Sequence, residues 1–249
     1  MKRLLILGVC FVLLISCEDK VYIPDNNFEQ ALIDLGYDDA IDGYVLKNSI
    51  NNCKELDVSS KGISYLNGIE RFSALTGLSC NNNQLTSLDL RGNTALTGLS
   101  CNSNKLTSLN VSGCTALTRL HCYSNKLTSL NVSGCTALTV LHCGNFGLGN
   151  GLTSLDITQN TALTELYCNN NQLTSLDVSQ NTALTVLHCY INQLTSLDIT
   201  QNTALTELYC GNNQLTSLDV SQNTALTSLS CGDNQLTSLN VSGCTALVK

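Results

Sequence analysis

Three histidines are the side chains whose type and spacing most directly suggest chemistry in this chain. They are His121, His142 and His188, and each of them is followed by a cysteine. Zinc is commonly bound by imidazole and thiolate, and a thiolate next to an imidazole can act as a nucleophile. Both kinds of site require the two side chains to lie on one surface. The local structure of each His-Cys pair therefore decides which chemistry is available.

Each His-Cys pair lies in a segment with the periodicity of a β-strand. In the equivalent segment of an earlier copy, Leu78 and Cys80 alternate with small residues. Adjacent residues of a strand point to opposite sides of the sheet, so a histidine and the cysteine after it do not share a site. Two imidazoles one turn apart also lack a third metal ligand. The sequence therefore predicts a protein that is not an enzyme and has no metal site and no cofactor.

A unit of 21 residues repeats along most of the chain and positions these segments. It reads L-T-x-L-x-C-x-x-N-x followed by L-T-S-L-D-V/I/L-x-x-N/C-T-A. Copies begin at Ala74, Ala95, Ala116, Ala137, Ala162, Ala183, Ala204 and Ala225. A fixed period of this length is typical of a solenoid, in which each turn buries its apolar face against its neighbours.

The second half of the unit is too short to contain a helix. It includes two bends, which leave no room for a helix of about 10–14 residues. Both halves are therefore expected to advance by about 4.8 Å per turn, the spacing of neighbouring strands. The sequence predicts an all-β-rich solenoid of about nine to ten turns, with two short parallel sheets and low curvature.

The first half of the unit resembles the leucine-rich repeat signature, with cysteine at its third apolar position, and the second half has the same skeleton. The resemblance covers residues 53–247 and is strongest to the nested repeats of bacterial, Bacteroidota-type surface lipoproteins. It implies a leucine-rich repeat solenoid over residues 53–249, with an insertion near residues 144–151. It also implies a binding module whose partner is a protein or a glycan.

The cysteines occupy fixed columns of the repeat. The inward column holds Cys80, Cys101, Cys122, Cys143, Cys168, Cys189, Cys210 and Cys231. A corner column holds Cys114, Cys135 and Cys244 where other copies have asparagine. In-register strands place equivalent Cβ atoms about 4.8 Å apart, whereas a disulfide needs about 3.5–4.5 Å. The columns therefore predict buried free thiols, and the corner asparagines are predicted to bond the backbone of the bends.

The outward positions of the first half vary between copies, so a binding site is expected there. The candidate residues are Arg119, His121, Tyr123, His142, Glu165, Tyr167, His188, Tyr190, Glu207 and Tyr209. Rigid amphipathic rings give a large contact area at low entropic cost. The alternative is a passive origin, because duplication would spread the same rings and cross-strand packing would tolerate them. Phe146 in the glycine-rich insertion is a further candidate contact, or else folds into the core.

Residues 1–16 have the features of a signal peptide. Two basic residues precede an apolar run that is too short to span a bilayer as a helix. The run ends in Leu14-Ile15-Ser16-Cys17, which resembles the lipobox of bacterial lipoproteins and implies acylation of Cys17. The acidic residues that follow resemble the signal for the outer face of the outer membrane. The expected location is the cell envelope, on a surface-exposed outer-membrane lipoprotein; ordinary secretion is the alternative.

Residues 17–52 do not repeat and are predicted to form a tether and an N-terminal cap. An apolar stripe predicts a short helix over about residues 27–35. Asn26 and Glu29 are expected to form a capping box, and Gly36 is expected to end the helix. The acidic residues at 38–42 could attract calcium, but a solvated turn fits them better because the ligand spacing is wrong.

Charge and repetition limit the remaining functions. The formal net charge is −7 and no basic patch exists, so nucleic acid and anionic lipid surfaces are excluded as partners. The exposed run Asp156, Asp177, Asp198 and Asp219 is expected to be solvated, with calcium as the alternative. A passive envelope spacer without a ligand remains the alternative function. End-to-end self-association of two solenoids is a further expectation.

Overall fold

The computed structural model describes residues 19–144 and 150–247. Over these ranges the chain is a parallel β-solenoid of about nine turns with very little helix, which confirms the predicted fold class. Its strands are β1 (Lys20–Tyr22), β2 (Tyr44–Leu46), β3 (Glu55–Asp57), β4 (Gly77–Ser79), β5 (Ser87–Asp89), β6 (Gly98–Ser100), β7 (Ser108–Asn110), β8 (Arg119–His121), β9 (Val140–His142), β10 (Glu165–Tyr167), β11 (Val186–His188), β12 (Glu207–Tyr209), β13 (Ser217–Asp219), β14 (Ser228–Ser230) and β15 (Ser238–Asn240). The helices are α1 (Asn26–Asp34), α2 (Lys47–Ile50) and a 3-10 turn at Ile69–Arg71.

Several predictions concern parts of the chain outside the described ranges. The signal peptide, the acylation site Cys17 and the candidate contact Phe146 all lie there. Within the described ranges, no helix combines the length and the apolar character needed to cross a lipid bilayer.

The first halves of the repeats form one nine-stranded parallel sheet. Its order is β14-β12-β11-β10-β9-β8-β6-β4-β3, and the leucine at the centre of each strand faces the leucine of its neighbour. The register survives the insertion, since Leu141 pairs with Leu166 just as Leu120 pairs with Leu141. Equivalent residues of successive turns therefore form straight columns along the solenoid.

The second halves form a less regular wall. Among the described residues, its strands pair only as β5 with β7 and β13 with β15, and both pairs are parallel. Between them the chain keeps the predicted inward leucines, and Leu155, Leu176 and Leu197 are each only 8% exposed. The two walls therefore enclose one core, although a long sheet forms on one side only. The cysteine column lies inside this core as free thiols, with Cys231 of a late turn partly exposed.

The corner asparagines bond the backbone of neighbouring turns, as predicted. At the first corner, Asn213 donates to the carbonyls of Cys189 and Cys210 at 3.0 and 3.1 Å and accepts from the amide of Leu194 at 3.0 Å. At the second corner, Asn202 donates to two carbonyls at 2.9 Å each, but its Oδ1 has no hydrogen-bond partner among the described residues. Asparagine therefore both donates and accepts hydrogen bonds at the first corner of the described turns, but only donates them at the second corner.

The cap helix α1 confirms the predicted element but not its predicted capping. The residue before the helix, Asp25, accepts hydrogen bonds from the amides of Asn27 and Phe28 at 2.9 and 3.0 Å. Asn26 is already helical, so the predicted capping box of Asn26 and Glu29 is wrong. Asp25 is the better cap because its other oxygen also binds two amides of the first repeat, at Ser64 and Tyr65.

The carboxylate of Glu29 turns away from the helix start into the acidic loop. It is fully buried, and its Oε1 accepts hydrogen bonds from the amides of Asp42, Gly43 and Tyr44 at 2.6–3.0 Å. This loop therefore points amide donors inward at an anion, whereas a calcium site would need oxygens. The predicted end of the helix is confirmed, since Gly36 adopts a left-handed φ of 78° and its amide donates to Ile33.

Candidate functional site

The outward face of the nine-stranded sheet carries two columns of side chains. The first column holds Glu55, Gly77, Gly98, Arg119, Val140, Glu165, Val186, Glu207 and Ser228. The second column holds Asp57, Ser79, Ser100, His121, His142, Tyr167, His188, Tyr209 and Ser230. Because the register is unbroken, each member lies about 4.8 Å from the next. Ten of the predicted site residues therefore lie on or beside one continuous surface.

Five rings of the second column stack into a ladder, which we call the aromatic ladder: His121, His142, Tyr167, His188 and Tyr209. Successive ring centroids are 5.7, 4.8, 4.8 and 4.4 Å apart, and the last pair is stacked at 12°. Two of the other pairs meet edge to face, at 67° and 82°, so the rings pack closely against one another in different orientations. They are less exposed than the sequence suggested, and His188 is only 7% exposed.

Tyr123 and Tyr190 flank the aromatic ladder, as predicted. The Tyr123 ring lies 4.3 Å from His142, and the Tyr190 ring lies 6.1 Å from His188. Both tyrosines follow a buried cysteine and lie where the strand turns into the first corner. The aromatic surface is therefore two residues wide at these turns.

Two acidic residues of the first column contact rings of the ladder. Glu165 accepts a hydrogen bond from the Tyr167 hydroxyl at 3.1 Å, and Glu207 lies 2.7 Å from Nε2 of His188. Arg119 is exposed at the start of the ladder and makes no hydrogen bond through its side chain to the described residues. The face therefore combines aromatic rings with acidic groups on one side and a basic group at one end.

Burial makes several of these rings poor acids and bases near neutral pH. It lowers the pKa of His142 to about 4, and the neighbouring His121 adds to the effect. Burial followed by the charge of Arg119 also lowers the pKa of His121. Burial, with the Glu165 carboxylate, raises the pKa of Tyr167 to about 12. These three rings are therefore uncharged at pH 7 and suited to stacking and hydrogen bonding.

The His-Cys pairs do not form common sites. Cys122 and Cys143 are fully buried in the core, on the opposite side of the sheet from His121 and His142. Across the described ranges, no group of three or more histidine, cysteine or acidic side chains is placed to hold a metal ion.

On the opposite wall, the carboxylates of Asp156 and its equivalents accept hydrogen bonds from amides two residues later.

Sequence reasoning missed a cleft at the start of the face. It encloses about 210 Å³, and Glu55, Gly77, Gly98, Ser100, Arg119 and His121 contribute to its lining. Its floor is low because two successive members of the first column are glycines. The cleft could have been predicted from the sequence, since Gly77 and Gly98 are the glycines of a column that otherwise holds larger residues.

Ile191 is a second feature that sequence reasoning missed. It has the clearest backbone strain near the aromatic ladder. It lies just before a first-corner asparagine with a φ of 53°, where other copies have asparagine, serine or aspartate. A β-branched residue is disfavoured in this left-handed region. Its side chain is 42% exposed next to Tyr190, so burial does not compensate for the strain.

Replacing Ile191 with asparagine is expected to stabilise the protein by about 1 kcal/mol, because asparagine tolerates the left-handed region. The reciprocal change, Asn212→Ile in the same column, should destabilise by a similar amount. Urea unfolding followed by circular dichroism measures both. A change of the same sign in both variants, or a loss of stability in Ile191→Asn, would show that the backbone strain is not the controlling factor.

The inward leucines, the bonded corners and the single long parallel sheet define a leucine-rich repeat solenoid. Residues 182–223 and 203–243 match the family described as Leucine Rich repeats (2 copies). No curated protein sequence matches the chain. Residues 182–243 therefore carry leucine-rich repeats, and the solenoid has the fold of leucine-rich repeat proteins.

Solved structures of this fold come from bacteria and plants. The functional domain of InlJ from Listeria monocytogenes, described as including a cysteine ladder, is 33% identical over 93% of this chain, with a TM-score of 0.51. This chain spans 63% of that domain. Internalin C2 from the same organism is 20% identical over 91% of both chains, with a TM-score of 0.66.

A plant receptor shares the fold as well. The ectodomain of the receptor kinase GASSHO1/SCHENGEN3 from Arabidopsis thaliana was solved in complex with Casparian strip integrity factor 2. It is 21% identical over 78% of this chain and 27% of its own, with a TM-score of 0.65.

Proposed function

We propose that this protein is a binding module that recognises a protein partner through the outward face of its nine-stranded sheet. The observation that carries this proposal is the prepacked aromatic ladder with charged residues beside it. Its rings are already held by packing against one another, and Glu165 and Glu207 contact two of them, so little conformational entropy is lost when a partner covers them. Tyr and Arg are also the residues that most often dominate binding energy at interfaces.

The solved relatives support a protein over a glycan as the partner. The plant receptor ectodomain of the same fold is complexed with Casparian strip integrity factor 2. The ladder favours the same choice, since its rings offer both apolar area and hydrogen-bonding groups. Ile191 fits this role too, because a strained and exposed apolar residue is a candidate for a contact with a ligand.

Photo-crosslinking tests the proposal within a single turn of the solenoid. A benzoylphenylalanine in place of Glu165 reports on the proposed face, and one in place of Ser175 reports on the opposite wall. We expect one protein to be captured in the producing cells at least tenfold more from position 165. Tyr167→Ser combined with Tyr209→Ser should abolish this capture, since serine already occupies the same column at Ser79 and Ser100.

Equal capture from both walls would contradict recognition through this face. It would favour the second candidate function, a passive envelope spacer, in which the rings serve only to pack against one another. That candidate has its own support in the short ring-to-ring distances, because stacked rings stabilise a parallel sheet without any ligand.

The proposed location is the outer surface of the cell envelope, with the chain held by lipid on Cys17. The support for it lies in the leader sequence and its resemblance to a lipobox. Protease added to intact cells should remove the solenoid. The variant Cys17→Ala should move the protein from the membrane fraction to the soluble fraction. A solenoid protected in intact cells, or a variant that stays with the membrane, would contradict this location.

A further inference from the structure

The cleft at the start of the outward face has two glycines in its floor. The first column carries Gly77 and Gly98 in adjacent strands, so the side chains of the residues on either side can extend over the floor. Those residues are Glu55 on β3 and Arg119 on β8, which lie three strands apart and have opposite charges. At about 4.8 Å per strand, their backbones are separated by about 14 Å.

Both charged side chains lean over the glycine floor. The Glu55 carboxylate lies above Gly77, and the Thr76 hydroxyl is 3.0 Å from both this carboxylate and the carbonyl of Lys54. From the other side, Nη2 of Arg119 reaches to within 3.8 Å of the point where a Cβ on Gly98 would lie. Among the described residues, Glu55 and Arg119 do not form an ion pair with each other. An open polar gap therefore separates an oriented anion from a cation.

We propose that this cleft binds a segment of a partner polypeptide that carries one basic and one acidic side chain. The basic group pairs with Glu55, and the acidic group accepts hydrogen bonds from Arg119, which can bind a carboxylate in a bidentate manner. The missing side chain at Gly98, where a Cβ would meet no atom closer than 3.8 Å, lets the backbone of the segment approach the sheet closely. This inference rests on the proposed function and adds the chemistry of the segment that is recognised.

The spacing of the two charges in that segment follows from the geometry. An extended chain rises about 3.4 Å per residue, and side chains two positions apart lie on the same side. Because Glu55 and Arg119 lean toward each other, the gap between their charged groups is much shorter than the distance between their backbones. A lysine and an aspartate two to four positions apart are therefore expected to reach both groups.

Synthetic peptides test the inference with the mature chain. Fluorescein-labelled peptides of Gly and Ser carry one Lys and one Asp two, three or four positions apart. Control peptides replace the Lys with Gln or the Asp with Asn. In anisotropy titrations at low salt, we expect the best doubly charged peptide to bind at least tenfold more tightly than either control. Arg119→Gln should remove the preference for Asp over Asn, and Glu55→Gln should remove the preference for Lys over Gln.

A matched pair of valine substitutions separates filling of the cleft from general disturbance of the sheet. Gly98→Val fills the cleft, and Ser228→Val makes a similar change in the same column far from it. Both should fold, since Val140 and Val186 occupy this column naturally. We expect Gly98→Val to weaken binding of the doubly charged peptide at least tenfold and Ser228→Val to leave it unchanged.

The inference is overturned if no doubly charged peptide binds, if the controls bind equally well, or if Gly98→Val has no effect. In each case, crosslinking from position 165 would still test the wider face independently. A partner captured there, with the cleft inactive, would leave the proposed function standing without this contact.

Discussion

Asn213→Cys will destabilise the solenoid by about 1–3 kcal/mol more than Asn202→Cys, although both replace a buried corner asparagine. Asn213 both donates and accepts hydrogen bonds, and the amide of Leu194 depends on its Oδ1. A thiol is a weak donor and a weak acceptor, so that amide would remain unsatisfied in the core. Asn202 uses only its donors, and a thiol can take over part of that role.

The chain itself already has cysteine in place of asparagine at the second corner. Cys114 occupies the second corner, and its Sγ lies 3.4 Å from the carbonyl of Leu90, in the position that an asparagine Nδ2 takes in other turns. Cysteine never replaces the first-corner asparagine in the regular copies. The difference in hydrogen bonding explains this distribution, since only the first corner requires a strong acceptor.

Urea unfolding of both variants measures the difference, and hydrogen exchange at Leu194 locates it. Exchange is useful because a repeat protein can open locally without unfolding as a whole. Asn202→Ala serves as the control, because it removes the donors that cysteine partly replaces. Similar losses for Asn213→Cys and Asn202→Cys would contradict the assignment of different roles to the two corners.

Gly144→Tyr is expected to destabilise the protein by about 3 kcal/mol or more, whereas Gly232→Tyr in the same column should change stability by less than about 0.5 kcal/mol. A Cβ on Gly144 would collide with the backbone of Cys168 and Asn169 in the next turn. A Cβ on Gly232 would meet no atom within 4 Å. Tyrosine is otherwise compatible with this column, since Tyr123 and Tyr190 occupy it.

The collision at Gly144 has an identifiable structural cause. The amides of Cys143 and Gly144 both donate to the carbonyl of Tyr167 at 2.9 Å, whereas in the regular turns only the cysteine amide binds that carbonyl. The backbone is therefore drawn toward the next turn just before the insertion. Thermal unfolding of the two tyrosine variants compares the sites directly. A tolerated Gly144→Tyr would mean that the backbone can move away without loss of stability.

The periodic features of this fold could be predicted from sequence because they are repeated many times. Inward leucines and cysteines, corner asparagines and the register of the long sheet all follow from the alternation of residue types within one unit. The role of Asn150 after the insertion was predictable for the same reason, and its amide group bonds Cys122 and Cys143 as other corner asparagines do. Because the alternation of residue types recurs in every unit, a pattern that is weak in one copy becomes reliable over the whole chain.

The features that were mispredicted or missed depend on contacts between distant residues. Asp25 caps α1 because it also binds the first repeat, and no local pattern separates it from Asn26. The rings of the aromatic ladder were expected to be exposed, but each ring packs against a neighbour one turn away and is partly or fully buried. The cleft arises where two glycines meet two oppositely charged side chains from other strands. Its existence depends on the direction in which long side chains lean, which the sequence does not specify.

The unbroken register across the insertion has a consequence for how such a protein can change over generations. Leu141 and Leu166 remain paired, so the extra residues between these two strands do not shift the register of the sheet. The chain between these strands can therefore be lengthened, shortened or replaced without altering the order or spacing of the side chains presented on the sheet. Changes in this connecting segment and exchange of whole repeat units can then occur as separate evolutionary events. A protein engineer can likewise graft a second recognition loop between these strands while keeping the outward face of the sheet intact.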